Sequence, residues 1–129
     1  MPAIEAEQPQ IKKPARVLVV GNPNAGKTSV FNSLTGAHAR VANYPGVTVS
    51  RYSQAITLPS GRWAEIIDTP GTYSLSARSP EEMITVNEIM GPDVPDALVC
   101  VIDAASLSRN LYLFLQLTNV YFCSLQTNM

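Results

Sequence analysis

Eight consecutive residues, Gly21 to Thr28, have the types and the spacing needed to hold a phosphate chain. They read G-N-P-N-A-G-K-T and match the phosphate-loop pattern G-x-x-x-x-G-K-[ST]. The glycines let the backbone approach an anion closely, and N–H groups at a helix start attract negative charge. We expect Lys27 to reach the β- and γ-phosphates, and the Thr28 hydroxyl to bind Mg²⁺. The candidate phosphate-binding residues are Gly21, Asn22, Pro23, Asn24, Ala25, Gly26, Lys27, Thr28 and Ser29.

A second group of candidate residues is Asp68-Thr69-Pro70-Gly71, directly after the apolar pair Ile66-Ile67. A carboxylate at the C-terminal end of a strand lies where ligands collect in open α/β sheets. We expect Asp68 to hold Mg²⁺, usually through a water, and the Gly71 N–H to face a γ-phosphate. Alone, D-T-P-G indicates a turn more often than a site. Its position downstream of the phosphate loop favours the site.

The rest of the chain supplies the strands and helices that must place these residues. Short apolar, β-branched runs predict strands, and apolar residues at helical spacing predict helices. No regular pattern is found in residues 37–48, whereas Gly36 predicts a helix end and Ser79-Pro80 a helix start. We expect strands at 16–20, 49–58, 62–67, 97–103 and 120–125, and helices at 27–35, 79–90 and 106–117.

This order of elements predicts a three-layer α/β fold of the P-loop NTPase type. The sheet is expected to be mostly parallel with right-handed crossovers, and the segments 49–58 and 62–67 to form an antiparallel hairpin. Residues 1–14, with three prolines and no periodicity, are expected to form a flexible leader. The main domain is then residues 15–129.

Composition excludes some classes of function. The 129 residues carry a net charge of −1, so the charge balance favours neither nucleic acid nor an anionic membrane surface as a partner. No signal-peptide pattern and no apolar run of about 20 residues is present, so we expect this chain by itself to be soluble. Cys100 and Cys123 are expected to be buried thiols, with a disulfide as the alternative, and His38 a surface residue.

Three segments together resemble a known family. GNPNAGKTS, ANYPGVTV and DTPGTYSL are similar to the first three guanine-nucleotide motifs of the ferrous iron transport protein B family, and the resemblance covers about residues 15–118. Members of that family carry a cytoplasmic G domain fused to a membrane permease. The resemblance implies binding of GTP and GDP, and a location at the cytoplasmic face of the cell membrane in the parent protein. No iron-ligand cluster is visible in this sequence.

The resemblance also implies roles for single residues. Thr48 corresponds to the switch-I threonine that senses the γ-phosphate through Mg²⁺, while Asp68 and Gly71 belong to switch II. Mg²⁺ would therefore be held by Thr28, Thr48 and Asp68. Lys27, Thr48 and Gly71 would take part in GTP hydrolysis.

Asn24 matches an asparagine that helps to hold K⁺ in potassium-activated members, with backbone carbonyls near Ala42 and Tyr44 completing that site. A plain loop-shaping role for Asn24 is the alternative. Thr72 stands where Ras-like proteins place a catalytic glutamine. The resemblance therefore implies slow hydrolysis, with water oriented mainly by switch backbone and K⁺ supplying the charge stabilisation that an arginine finger gives elsewhere.

The sequence departs from the family near its C-terminus. The base-reading N-x-x-D motif is incomplete or absent at Asn128-Met129, and the last strand and helix of a G domain are missing. We therefore expect the folded chain to be poorly stable. The preference for guanine is inferred from the resemblance alone. Two alternatives stay open: a translation-factor-related GTPase, and a truncated product with little or no nucleotide binding.

Overall fold

In the computed structural model of this chain, the structure describes the backbone of residues 13–127 and the side chains of residues 13–120. The strands are β1 (Ala15–Gly21), β2 (Arg40–Asn43), β3 (Ser50–Thr57), β4 (Trp63–Asp68) and β5 (Ala97–Val101). The helices are α1 (Lys27–Thr35), α2 (Pro80–Met90) and α3 (Leu107–Thr127), and a 3₁₀ turn at Ala104–Ser106 precedes α3.

The five strands form one sheet in the order β2-β3-β4-β1-β5. Strand β1 runs parallel to both β4 and β5, and β3 runs antiparallel to both β2 and β4. The predicted hairpin is therefore confirmed. Val19 lies opposite Asp68 in the register, so the parallel pairing brings the end of β4 beside the end of β1, where the phosphate loop begins.

Apolar side chains cover both faces of this sheet, because successive residues of β1 point to opposite sides. On one face Val19 packs in a cluster with Phe31 of α1. On the other face Leu18 and Val20 belong to a cluster that includes residues of α2 and α3, namely Ile89, Leu113 and Leu117. The expected three-layer α/β architecture is confirmed, but the sheet is mixed, with two parallel and two antiparallel pairings, rather than mostly parallel.

Two helix boundaries agree with their local sequence signals. Helix α1 ends at Gly36, whose φ of 72° is left-handed and whose N–H donates to the Asn32 carbonyl at 2.9 Å. Helix α2 begins after Ser79, whose hydroxyl accepts a hydrogen bond from the Glu82 N–H at 3.1 Å. These caps fix where each helix begins or ends.

The structure corrects two expectations. Residues 40–43, for which no regular pattern was expected, form the edge strand β2. All four residues are exposed, so the strand has no buried face that would give an alternation of apolar and polar positions. The prediction of a strand at 120–125 is wrong, because helix α3 continues to Thr127. No glycine or proline interrupts 107–127, and a short apolar run does not distinguish a strand from a helix.

The remaining predictions concern the termini and isolated residues. Residues 1–12 of the predicted leader and the Cys123 side chain lie outside the described residues. Cys100 is a partly buried free thiol whose pKa is raised by burial, and His38 is exposed. Within 13–127, no helix has the length and apolar character needed to cross a bilayer.

Candidate phosphate-binding site

The loop between β1 and α1 has a backbone shaped to receive an anion. Gly26, directly before α1, has a φ of 92°, and Asn24 has a φ of 64°. No side chain caps the start of α1, and its first turn holds no acidic residue. The first N–H groups of the helix therefore have no side-chain acceptor, which suits a bound phosphate.

The backbone of Asn24 is left-handed because the loop turns tightly at this residue. Asparagine tolerates that conformation better than most residues. The loop is closed by a hydrogen bond from the Ala25 N–H to the Asn22 carbonyl at 3.2 Å. This geometry supports a loop-shaping role for Asn24. The role of Asn24 as a K⁺ ligand stays a prediction.

Lys27 and Asp68 meet at the end of the sheet. The Lys27 Nζ lies 3.2 Å from the Asp68 Oδ1, and the two side chains are only 11% and 10% exposed. Burial raises the pKa of Asp68 above its usual value, and the Lys27 ammonium offsets part of that rise. Two residues 41 positions apart thus form one charged pair beside the loop.

The segment after β4 is fixed to β1 by hydrogen bonds. The Thr69 N–H and hydroxyl both donate to the Val19 carbonyl, at 3.2 and 2.9 Å. The Thr72 N–H donates to the Gly21 carbonyl at 3.0 Å. Gly21, the first residue of the phosphate loop, therefore also anchors the candidate switch-II segment.

Gly71 lies against the phosphate loop itself. A Cβ placed on Gly71 would lie 2.7 Å from both the N and the Cα of Pro23. Real Cβ atoms essentially never approach backbone atoms so closely, so only glycine fits this contact. The structure therefore brings Lys27, Asp68 and Gly71 together around residues 21–28.

Thr72 directs its side chain into the protein. It is fully buried, and its hydroxyl lies 2.7 Å from both the Glu82 Oε2 and the Ser74 carbonyl oxygen. The hydroxyl is therefore used in internal hydrogen bonds that connect this segment to α2. It does not replace the water-positioning side chain of Ras-like proteins.

Several predicted site residues are exposed, including Asn24, Thr28, Ser29 and Thr48. Thr48 lies in a turn between β2 and β3, and within residues 13–120 no hydrogen bond joins it to Thr28 or Asp68. The coordination of Mg²⁺ by Thr28, Thr48 and Asp68 stays a prediction. Hydroxyl and carboxylate oxygens are ligands that Mg²⁺ accepts, so these side chains suit the metal chemically. Because the set has only one carboxylate, the phosphate oxygens would supply the rest of the negative charge around Mg²⁺.

Sequence reasoning missed several long-range contacts at this site. The Pro23–Gly71 contact and the Thr72–Glu82 hydrogen bond join residues with no shared local pattern. Asn22 is 3% exposed, and its side-chain polar atoms have no partner among the described residues. The Pro23–Gly71 and Thr72–Glu82 contacts can be predicted only once the topology of the sheet is known.

Comparison with known proteins identifies the family. The family described as "Ferrous iron transport protein B" matches residues 15–126. Over 102 residues the chain is 49% identical to the "Fe(2+) transport protein A/Fe(2+) transporter FeoB fusion protein" of Porphyromonas gingivalis, covering 79% of this chain and 12% of that protein. It is 42% identical over 105 residues to the "Fe(2+) transporter FeoB" of Methanocaldococcus jannaschii, covering 81% and 15%.

Solved structures agree with this assignment. The G domain of the T. maritima FeoB iron transporter superposes with a TM-score of 0.76 at 39% identity, covering 83% of this chain and 66% of that one. The GDP form II of the T. maritima FeoB cytosolic domain gives 0.75 at 40% identity, covering 81% and 41%.

The family match separates this chain from other translation-factor-related GTPases. The chain spans only 12% and 15% of the length of these two curated relatives. It belongs to the ferrous iron transport protein B family and corresponds to part of the N-terminal G domain.

Proposed function

We propose that this chain is the nucleotide-binding region of a GTP-binding and GTP-hydrolysing domain of a ferrous iron transporter. In the whole protein, the nucleotide state of this domain would regulate Fe²⁺ uptake through the membrane permease region. The observation that carries the proposal is the Lys27–Asp68 pair, 3.2 Å apart at the start of an uncapped helix. The GDP-bound form of a similar domain supports guanine nucleotide as the ligand.

Residues 21–29 hold the phosphates in this proposal. Thr28, Thr48 and Asp68 would supply oxygen ligands for Mg²⁺. Mg²⁺ would neutralise charge on the β- and γ-phosphates. The domain comprises residues 15–129, preceded by a leader at 1–14.

Hydrolysis in this proposal depends on positioning rather than on a side-chain base. Lys27 contacts the phosphates, and the backbone N–H of Gly71 faces the γ-phosphate and the attacking water. Thr48 closes over them. The Thr72 hydroxyl donates a hydrogen bond to Glu82, so Thr72 takes no part in hydrolysis in this proposal. K⁺ held by Asn24 would add positive charge beside the phosphates.

A fluorescent-nucleotide titration tests the function. We would titrate the chain with labelled GDP and labelled ADP in the presence of Mg²⁺, once in K⁺ and once in Na⁺. Saturable binding of GDP in preference to ADP is the expected result. Tighter binding of a GTP analogue in K⁺ than in Na⁺ would support the K⁺ role of Asn24.

A matched pair of variants makes this titration specific. Lys27→Met keeps the apolar stem and removes the charge, and we expect it to weaken GDP binding by at least about tenfold, a loss of about 1.4 kcal/mol. Lys13→Met removes an exposed lysine outside the motif and should leave affinity unchanged. Equal affinities for the two variants, or no binding by the wild type, would contradict the proposal and favour a product without nucleotide binding.

A further inference from the structure

Two arginines near the candidate switch-II segment have no acidic partner. Arg78 and Arg109 are exposed, and within residues 13–120 no hydrogen bond or ion pair involves their side chains. In contrast, the arginines of β1 and β3, Arg16 and Arg51, both form ion pairs with glutamates. An arginine without an acceptor presents a planar set of N–H donors that matches the geometry of a carboxylate.

Both of these arginines line one depression in the surface, the Arg78–Arg109 depression. It has a volume of about 400 Å³, and its lining residues are Tyr73, Ser74, Arg78, Glu82, Arg109 and Tyr112. The two tyrosines are 44% and 57% exposed. Tyrosine and arginine are enriched among the residues that contribute most to binding at protein interfaces, so this composition favours a protein partner.

Glu82 does not neutralise the two arginines of this depression. Its Oε2 accepts hydrogen bonds from the Thr72 hydroxyl at 2.7 Å and from the Tyr73 N–H at 3.4 Å. No ion pair of the described side chains joins it to Arg78 or Arg109. The lining therefore has two positive charges against one negative charge, which favours an acidic ligand.

The candidate switch-II segment, which forms one wall of the depression, is held by both neighbouring helices. The Thr72 hydroxyl donates to Glu82 of α2, and the Leu75 N–H donates to the Gln116 Oε1 of α3 at 2.8 Å. These hydrogen bonds fix the wall before a ligand arrives. A wall that is already ordered lowers the entropy cost of binding.

A small polar cavity adjoins the depression and shares Tyr73 and Arg109 with it. Its volume is about 170 Å³, and the phosphate loop forms another of its walls. Asn22 lines this cavity and is 3% exposed, yet its side-chain oxygen and nitrogen have no partner within residues 13–120. A buried amide without a partner is costly, and a peptide group can offer it both an acceptor and a donor.

We propose that the Arg78–Arg109 depression binds an acidic peptide segment of a partner protein. Carboxylates of that segment contact the two arginines, and its backbone contacts the Asn22 amide in the adjoining cavity. The proposal goes beyond nucleotide binding, because it concerns a protein partner at a separate surface. Tyr73 lines both the depression and the cavity, so the partner contacts the candidate switch-II segment directly.

Fluorescence anisotropy with a labelled peptide tests this proposal. The probe is a fluorescein-labelled decapeptide of alternating glutamate and glycine, and its matched control has glutamine in place of every glutamate. We expect saturable binding of the glutamate peptide at low ionic strength, at least about tenfold tighter than binding of the glutamine peptide. The titration contains no nucleotide, so its result does not depend on the proposed function.

Substitutions of single arginines locate the binding site. Arg78→Gln and Arg109→Gln should each weaken binding of the glutamate peptide about threefold, and the double variant about tenfold. Arg62→Gln is the matched control, because Arg62 is also exposed and its side chain has no partner within residues 13–120. It lies between β3 and β4, outside the lining of the depression, and should leave the affinity within about twofold of the wild type.

Three results would overturn the proposal. Equal affinities for the two peptides would show that carboxylates are not recognised. An equal loss of affinity in Arg62→Gln and in the double variant would show unspecific attraction between charges. Inorganic phosphate that displaced the peptide as effectively as unlabelled peptide would show a site for small anions only.

Failure of this proposal is distinguishable from failure of the proposed function. Peptide binding without any binding of labelled GDP would contradict the proposed function alone. Preferential GDP binding by a chain that binds neither peptide would overturn this proposal alone. Circular dichroism spectra that match the wild type would show that the arginine variants are folded.

Discussion

At the scale of single residues, the contact between Gly71 and Pro23 joins the two halves of the site. Only the absence of a side chain at Gly71 allows the candidate switch-II segment to touch the phosphate loop, since a Cβ there would lie 2.7 Å from the Pro23 backbone. The backbone of Pro23 cannot yield as the end of a flexible side chain could. This contact therefore sets the position of Gly71 relative to the phosphate loop.

Gly71→Ala should push the Asp68–Gly71 segment off the loop. We expect the affinity for a GTP analogue to fall by at least about tenfold, whereas the affinity for GDP, which lacks the γ-phosphate, changes little. Titration of both labelled nucleotides in Mg²⁺ measures the two effects.

Gly61→Ala serves as the control for this substitution. Gly61 has a φ of 85° with open space around its Cβ position, and it lies in the hairpin turn between β3 and β4. The added methyl group should lower stability by about 1 kcal/mol without changing nucleotide preference. An equal loss of GTP-analogue binding in both variants would sink the interpretation of the Gly71 contact.

At the scale of elements, helix α2 holds the segment that follows Asp68 through hydrogen bonds to Pro70 and Thr72. Its first turn is fixed by the Ser79 cap, by a proline at the first helical position, and by Glu81 and Glu82 near the positive end of the helix dipole. Glu82 then binds Thr72, so the start of this helix also orders the segment that follows Asp68.

Ser79→Ala should destabilise the protein by about 1 kcal/mol, because the Glu82 N–H loses its acceptor. Urea unfolding followed by circular dichroism measures the change. Ser76→Ala is the control, since Ser76 is exposed and no hydrogen bond of the described residues involves its hydroxyl. Equal destabilisation in the two variants would show that the cap contributes nothing specific.

Local signals in the sequence predicted most of these elements. The phosphate loop, both bounds of α1 and the cap of α2 follow from residues close together in the chain. Strand β2 could not be predicted, because four exposed residues obtain their structure from pairing with β3 alone. Likewise, the contact of Pro23 with Gly71 depends on topology, which no local pattern encodes.

At the scale of the whole molecule, the sheet has an edge that the described residues leave open. Strand β5 pairs with β1 on one side, and no strand of residues 13–127 pairs with its other side. Its sequence, ALVCV, contains no charge. An uncharged edge strand is a template for pairing with another chain.

Ala97→Lys should therefore reduce self-association, because Ala97 is an exposed residue of β5 and a lysine there opposes edge-to-edge pairing. Light scattering over a concentration series measures the effect. Ala104→Lys adds the same charge to the exposed 3₁₀ turn and should have little influence. Identical scattering from the two variants would show that β5 does not drive association.

The position of β1 between β4 and β5 has a consequence for how the chain acquires its structure. Arg16 and Asp96, which hydrogen-bond at the start of the β1–β5 pairing, are 80 residues apart. Pairings of such high sequence separation slow folding, because a long loop must close before they form. Gly21, the first residue of the phosphate loop, pairs with Val101 at the end of β5. The residues of the candidate site are made early in translation, and the strand that pairs with β1 follows about 80 residues later, so we expect the site to form only after β5 has docked.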